Sequence, residues 1–322
     1  MRARLVIIVV MLALCATGCT GVLAGIALPV PGFTPYDPSD ANAAFGEFST
    51  VDPCALVDVA TLPGDLNATA AKPESLDYCA LNINVAGESA DADIGELVGS
   101  TGDELGNGQP VAGGLTMYPD TLAYGTCTAY LSFTGEQIYL ISEVSVASGD
   151  GSDALCTASQ ELARNAAAVI ARQRVAHVTG IPAKSLRRVD ACGLVGASVL
   201  NSAGLGQAVT FPAGHQCVWN DKADDAAEYV QLLFLVGPYP EPVHGGTATD
   251  IAGRPSVVQP TDEDAFGECV IDTGGIAFGQ PQQGLVEIAE IFVYGSGQTG
   301  AATCQLATTI ADAAWPKLPA SS

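Results

Sequence analysis

A short motif that occurs twice, 138 residues apart, places the strongest constraint on what this chain can fold into. The sequence Asp-Pro-Cys-Ala-Leu-Val at 52–57 returns as Asp-Ala-Cys-Gly-Leu-Val at 190–195. Self-similarity at a fixed period is typical of repeated structural units. A chain of 322 residues has room for about two domains, and each half is long enough to bury its own core. The sequence therefore predicts two tandem modules.

The cysteines repeat in the same way. Two sets of four follow the two motifs: Cys54, Cys79, Cys127 and Cys156, then Cys192, Cys217, Cys269 and Cys304. The first step is 25 residues in both sets, and the later steps are 48 and 29 residues in the first set and 52 and 35 in the second. We therefore assign the modules to 49–172 and 189–318, joined by a linker at 173–188.

Each module is predicted to begin and end with a helix. Asp52 and Pro53 are typical of a helix N-cap and first turn, and that helix is expected to reach about Leu62. Asp190 is expected to open the equivalent helix, through about Leu200. Closing helices are predicted at 153–172 and 299–314 from apolar residues at helical spacing, with strands between. The predicted fold class is α+β: two homologous, disulfide-stapled modules, each an antiparallel sheet packed with an N-terminal and a C-terminal helix.

The N-terminus has the organisation of an export signal. Arg2 and Arg4 precede the uncharged apolar run 5–14, and the sequence Ala-Thr-Gly-Cys follows at 16–19. Small residues before a cysteine are typical of a bacterial lipobox, although Leu is commoner than Ala at position 16. Residues 1–18 are therefore predicted to be a lipoprotein signal peptide, and Cys19 the acylated first residue of the mature protein.

Two alternatives to this processing remain open. Residues 5–30 are long enough to span a bilayer as an uncleaved anchor, although glycines and prolines disfavour a single helix there. Simple secretion is the other alternative. Residues 32–49 show no apolar period, and 19–48 is predicted to be the acylated cysteine and a flexible tether. The expected location is the extracytoplasmic face of the cell membrane, with attachment through the N-terminal lipid.

Eight cysteines follow the predicted signal, and in an exported chain an even number favours disulfides over zinc or redox thiols. There is no CxxC motif, and the chain has 3 histidines, so no metal site is predicted. Four cysteines in a module allow three pairings. We predict first with second and third with fourth: Cys54–Cys79, Cys127–Cys156, Cys192–Cys217 and Cys269–Cys304. Pairing first with fourth and second with third is the alternative.

A basic segment lies between the two modules. It contains Arg164, Arg172, Arg174, Lys184, Arg187 and Arg188, with no acidic residue between Glu161 and Asp190. Such residues can favour a helix C-terminus and pair with acids of either module. The functional alternative is a docking surface for an acidic partner or an anionic envelope polymer.

The chain as a whole is strongly acidic. Lys and Arg number 12 against 35 Asp and Glu, a net charge of −23, and loss of Arg2 and Arg4 with the signal would deepen it by two. This charge opposes binding to nucleic acid and favours solubility. No nucleic-acid partner is predicted.

The sequence contains no recognisable catalytic motif. It has no G-x-S-x-G elbow, P-loop or H-E-x-x-H, and no histidine precedes His177, so a histidine site cannot have been duplicated with the fold. Neighbouring acids such as Asp91 and Asp93, or Asp262 and Asp264, are expected by chance in so acidic a chain. We predict no enzyme activity, no catalytic residue and no cofactor.

The motif residues themselves resemble a known family. The opening Asp-Pro-Cys-Ala-Leu at 52–56 and the Cys-Val-Trp at 217–219 resemble an uncharacterised family of actinobacterial, mycobacterial-type envelope lipoproteins with a DPC-x-L motif. The chain departs from that pattern at Ala191, where Pro is usual, and at Leu81, where Trp is usual. The resemblance implies an exported α+β lipoprotein, here with two modules in tandem, and carries no catalytic residue to transfer.

The functional prediction is a lipid-anchored extracytoplasmic binding or interaction module of the cell envelope. Its partner would be an envelope protein, a polymer or a lipid ligand. The alternatives are a carrier of an apolar ligand and a sensor or accessory subunit of an envelope complex. A large closed apolar pocket would favour the carrier, and an open sheet face or the basic segment would favour an interaction module.

Overall fold

The structure is a computed structural model. It describes residues 36–99, 105–123, 125–134, 138–146, 152–172, 175–221, 228–243, 245–263, 266–279 and 283–321. Cys19 and Arg174 lie outside these residues, as does the predicted signal peptide. In the ranges given, no helix is long and apolar enough to cross a membrane.

Two antiparallel sheets of seven strands dominate the structure. The first sheet contains β1 (Lys72–Pro73), β2 (Cys79–Val85), β3 (Glu88–Val98), β4 (Gln109–Pro110), β5 (Thr116–Pro119), β6 (Thr126–Ser132) and β7 (Tyr139–Ser145). The second contains β8 (Leu205–Thr210), β9 (Gln216–Asp221), β10 (Glu228–Pro238), β11 (Thr247–Ile251), β12 (Arg254–Glu263), β13 (Phe266–Ala277) and β14 (Leu285–Ser296). The α+β class with antiparallel sheets is confirmed.

The two sheets have the same connectivity. The first is ordered β1-β2-β3-β7-β6-β5-β4, and the second, in the matching direction, β8-β9-β10-β14-β13-β12-β11. In both, the last strand inserts between the third and the sixth. Each sheet has its own buried core.

The closing helices lie where the sequence predicts them. Helix α2 (Asp153–Arg172) packs on β6 and β7, and helix α4 (Gly300–Ala314) packs on β13 and β14. Each helix covers one face of its sheet and buries an apolar stripe there. The opposite face of each sheet carries no helix among the described elements, and this arrangement positions the candidate site.

The four disulfides join the pairs that the sequence analysis predicts: Cys54–Cys79, Cys127–Cys156, Cys192–Cys217 and Cys269–Cys304. In each module, one bond ties the opening motif to the second strand. The other ties the closing helix to the sixth strand. Cross-links of this size stabilise a fold by about 2–4 kcal/mol each, mainly by restricting the unfolded chain.

The predicted N-terminal helices are wrong in the first module and shorter than expected in the second. Residues 53–66 form separate 3₁₀ turns at Pro53–Leu56, Val59–Thr61 and Gly64–Leu66. The second module has a 3₁₀ turn at Cys192–Leu194 and a short helix, α3 (Ala197–Ser202). Disulfide bonding and burial of the motif against the sheet replace helical continuity.

The two motif aspartates make the same hydrogen bond at these turns, although only Asp52 occupies the predicted N-cap position and Ala191 precedes the second turn. The Asp52 carboxylate accepts from the Cys54 amide at 3.1 Å, and the Asp190 carboxylate accepts from the Cys192 amide at 3.1 Å. Each side chain therefore orients the backbone of a disulfide cysteine.

The predicted tether is shorter than 19–48, because its C-terminal part is folded. Helix α1 (Ala41–Phe45) is capped by Asp40, whose side chain accepts from the Ala43 amide at 2.8 Å. Phe45 is fully buried, and its ring centroid lies 5.0 Å from that of Phe133. A five-residue helix is too short to show an apolar period in sequence, so this element was missed.

The segment predicted as a linker also contributes to packing. Val175 lies in the first core and Leu186 in the second, while Arg187 is 5% exposed. The Arg187 guanidinium donates to the Val51 carbonyl at 3.2 Å. Residues 175–188 therefore join the modules through buried contacts.

Candidate functional site

The described residues of the basic segment do not form one exposed surface. Arg164 pairs with Glu161 at 2.8 Å, and Arg172 pairs with Asp58 at 3.2 Å. Arg188 donates to the carbonyl of Ile181 at 2.8 Å, and Arg187 is buried. Lys184 is exposed. These contacts match the expected pairing with neighbouring groups, so we do not carry the docking surface into the functional proposal.

A cleft of about 600 Å³ lies between the two sheets. Its walls are the faces that α2 and α4 leave uncovered. The first sheet contributes residues from β3, from β7 and from the segment between β1 and β2. The second sheet contributes residues from β9, β10 and β14. This volume is typical of small-molecule sites, which span about 300–1,000 Å³. We call it the inter-sheet cleft.

Strand alternation explains which side chains enter the cleft. On β14, Ala289 and Ile291 point to the helix-covered core, so Glu290 and Phe292 point to the other face. On β7, Leu140 and Val144 are in the core, and Glu143 faces the cleft.

A bulge in β3 places a further carboxylate in the cleft. The pairing of β3 with β7 shifts register between Ile94 and Leu97, so one extra residue lies between them. Asp93 and Glu96 therefore lie on the same face, although they are three residues apart. Gly95 allows this because its φ is +120° and an added Cβ would lie 2.9 Å from the Pro53 Cβ. The repeated motif thus helps to shape the site.

Five carboxylates line the cleft: Glu74, Asp93, Glu96, Glu143 and Glu290. No Lys, Arg or His is among the described residues that line it. Burial, together with the charges of Glu74 and Glu143, raises the pKa of Asp93 to about 7. Burial and the charge of Asp77 raise the pKa of Glu96 to about 7, although a hydrogen bond from Gln216 opposes that shift.

Two pairs of acids lie directly across neighbouring strands. Asp93 on β3 is opposite Glu143 on β7, and Asp272 on β13 is opposite Glu290 on β14. Like charges in such positions repel each other. Burial and the neighbouring acid raise the pKa of Glu290 to about 8, and burial raises that of Asp272 to about 6. The two carboxyls are hydrogen-bonded to each other, which requires one shared proton.

The rest of the cleft surface is mainly apolar and aromatic. The second sheet provides most of these side chains, and the full apolar and aromatic set is Tyr78, Ile94, Ile141, Leu233, Leu235, Val236, Pro238, Ile288 and Phe292. Burial and neighbouring acids raise the pKa of the Tyr78 hydroxyl, which stays protonated at neutral pH. The cleft therefore combines an apolar wall with acidic side chains.

The acid pair in the second sheet is not arranged like a glycosidase pair. Those enzymes separate the two carboxyl groups by about 5–10 Å so that substrate or water fits between them. Asp272 and Glu290 bond directly to each other. Within the described ranges, no three His, Cys, Asp or Glu side chains are grouped so as to hold a metal ion.

The cleft was not predicted from the sequence. Asp91 and Asp93 were noted only as neighbouring acids, and Glu143 and Glu290 are each the one acid on the outward face of their strand. One sequence signal could have identified these positions. Each is a single acid on the strand face that points away from the core, among mainly apolar residues on that face. Only the facing of the two sheets brings these positions together.

A comparison of this chain with protein-family models, with curated proteins and with solved structures finds no match.

Proposed function

We propose that this protein is a lipid-anchored binding module of the cell envelope, and that the inter-sheet cleft holds its ligand. Acylated Cys19 would attach the chain to the extracytoplasmic face of the membrane. The two modules would be products of a tandem duplication, which the shared strand order and the matched disulfides support. The observation that carries the proposal is the cleft itself.

The ligand that fits this cleft best is a small molecule with a cationic group and an apolar body. Five carboxylates in a partly dehydrated site are costly to ionise together, and a cation offsets that cost. The aliphatic and aromatic wall, including Leu233, Ile288 and Phe292, would cover the apolar part. An anionic ligand would meet only like charge.

The acidic lining also separates this proposal from its alternative. A carrier for a wholly apolar ligand would be expected to enclose it among apolar side chains, but Asp93, Glu143 and Glu290 face the cleft. Ligands without a cationic group would leave these partly buried carboxyls without a counter-charge. We therefore favour recognition of a charged ligand over bulk transport of lipid.

The cleft residues do not simply repeat between the modules. Cys127 lies opposite Val144 in the first sheet, and Cys269 lies opposite Val293 in the second. By this register Glu143 corresponds to Phe292, and Ile141 to Glu290. One wall is therefore acidic where the other is apolar, so the joined pair of modules, and not each module, makes the site.

Ligand retention by the native protein tests the proposal. Processed protein purified from its own envelope would be examined by native mass spectrometry, with Gln231→Trp to fill the cleft. Asn84→Trp, on the same kind of outward sheet face but outside the cleft, is the matched control. A bound small molecule lost only in Gln231→Trp supports the cleft. Equal retention in both variants would remove the site from the cleft.

A further inference from the structure

The two sheets are joined at one end of the cleft by backbone pairing across the modules. The Leu76 amide donates to the Phe234 carbonyl at 3.0 Å, and the Val236 amide donates to the Glu74 carbonyl at 2.8 Å. Leu76 belongs to the first module by sequence but is 1% exposed in the core of the second. We call the segment 74–76 and its partners on β10 the inter-sheet bridge.

A buried contact between a histidine and an aspartate adjoins this bridge. His215 Nδ1 lies 2.6 Å from Asp77 Oδ1, and the two side chains are 1% and 8% exposed. Asp77 directly follows the bridge, and His215 lies in the second module, one residue before β9. The residues next to them, Tyr78 and Gln216, line the cleft. The pair therefore ties together the segments that set the spacing of the two cleft walls.

Both polar contacts of the His215 ring face oxygen atoms. Its Nε2 lies 3.2 Å from the Arg187 carbonyl, which is an acceptor only, and its Nδ1 faces a carboxylate. A neutral imidazole has one N–H and one lone pair, so it would turn a lone pair toward one of these oxygens. An imidazolium that faces an ionised Asp77 carboxylate satisfies both contacts.

Charge balance around the ring supports the same state. The charged or titratable groups facing this junction are Asp77, Arg187, Glu287 on β14, Glu96 on β3 and Asp52, which acts on Arg187. Glu287 is 3% exposed and accepts from the Ser185 hydroxyl and the Leu186 amide, both at 2.6 Å. Without a proton on His215, this buried group would hold an excess of negative charge, which is costly in a dehydrated site.

We propose that His215 and Asp77 form a charge-dependent latch that holds the two sheets together at the inter-sheet bridge. The latch is closed while both ring nitrogens of His215 carry protons. Loss of either proton replaces one hydrogen bond with a repulsive contact, so the bridge opens more often as pH rises. This inference concerns the junction and does not require that the cleft bind any ligand.

Hydrogen exchange and NMR on the whole mature chain test the latch. The ¹⁵N shifts of His215 should show two protonated ring nitrogens at pH 6. The protection factors of the Leu76 and Val236 amides, which correct for intrinsic exchange, should fall roughly tenfold as the ring loses its proton, as expected for loss of a charge-assisted hydrogen bond. In His215→Gln, protection at pH 6 should already be low and the step should vanish.

Two controls isolate the effect. His177→Gln removes an exposed histidine, and Asp272→Asn removes the acid that lies opposite Glu290 on β14. Both variants should retain the step. A singly protonated His215 ring at pH 6 with both amides protected would overturn the proposal, as would an unchanged step in His215→Gln. If that variant does not fold, two pH midpoints measured on the wild-type protein decide. The midpoint of the His215 ring shifts and the midpoint of the loss of protection at the two amides must coincide, and separate midpoints contradict the latch.

Discussion

Asp272 and Glu290 lie directly opposite each other on β13 and β14, and their carboxyl groups share a hydrogen bond. Burial raises the pKa of both, so the pair holds a proton at pH values where free carboxyls have lost theirs. Asp93 on β3 and Glu143 on β7 also lie directly opposite each other, in the first sheet. Under the proposed function, a cationic ligand would displace the protons that these acids hold.

The first prediction is that stability falls as pH rises from about 4 to 8. The pKa values of Asp93 and Glu96 are raised to about 7 and that of Glu290 to about 8, so the folded state binds more protons than the unfolded state in this range. The free energy of unfolding must then decrease with pH, and the contribution is lost as pH passes through the folded pKa values.

Glu290→Gln isolates this effect. One pKa unit corresponds to about 1.4 kcal/mol, so the variant should gain about 1–3 kcal/mol at pH 8 and little at pH 4. Glu88→Gln, an exposed position on β3, is the matched control and should change neither value. Urea unfolding at both pH values measures the difference. An equal effect of the two variants would show that cleft burial is not the cause.

The second prediction concerns Leu76, which completes the core of the module to which it does not belong by sequence. Leu76→Ala should cost about 2–5 kcal/mol and should lower hydrogen-exchange protection in β10 and β14 first. Leu81→Ala, equally buried in the first core, should act first on β2 and β3. If both variants loosen the same strands, the two cores are not distinct.

This result bears on separability of the modules. Two modules joined by a simple linker would leave two pieces that fold alone after a cut near Lys184, because few contacts would cross the junction. The bridge at 74–76 and the buried contacts of Arg187 cross that junction. A piece covering 184–318 lacks Leu76, so its core is incomplete. Expression of 49–176 and 184–318 under oxidising conditions, separately and together, would show whether the second piece needs the first.

The third prediction concerns the membrane anchor. Cys19→Ala should leave an unprocessed precursor, because the acylated cysteine defines the cleavage point. Cys15→Ala is the control and should be processed like the wild type, since Leu14 directly precedes Cys15. Immunoblots of membrane and soluble fractions, with mass spectrometry of the mature N-terminus, distinguish them. Normal processing and membrane retention of Cys19→Ala would exclude the lipoprotein interpretation.

The fold was predictable where the sequence carries local or periodic signals. The closing helices show an apolar stripe, and the cysteine spacing gives the pairs that the structure contains. The structure of the opening segment could not be predicted in this way, because Asp52 and Pro53 start a 3₁₀ turn as readily as a helix. Helix α1 was missed because a five-residue element lies below the length at which periodicity can be seen.

The site was less predictable than the fold. The positions of Glu143 and Glu290 depend on the register of β7 and β14 and on the way the two uncovered sheet faces meet. Glu96 reaches the cleft only through the bulge at Gly95. No local pattern in the sequence shows that two sheets face each other. Asp93, which lines the cleft, therefore could not be distinguished from its neighbour Asp91, which does not.

Calorimetric titration with matched amphiphiles tests the central claim most directly. Octylamine and octanoate share an apolar body and differ in charge, and each would be added to the mature protein at pH 7 in two buffers of different ionisation enthalpy. We predict that octylamine binds with release of protons to the buffer, that Glu290→Gln reduces this release, and that octanoate does not bind. Equal binding of both amphiphiles, or octylamine binding that Gln231→Trp leaves unchanged, would contradict a cation-selective cleft between the sheets.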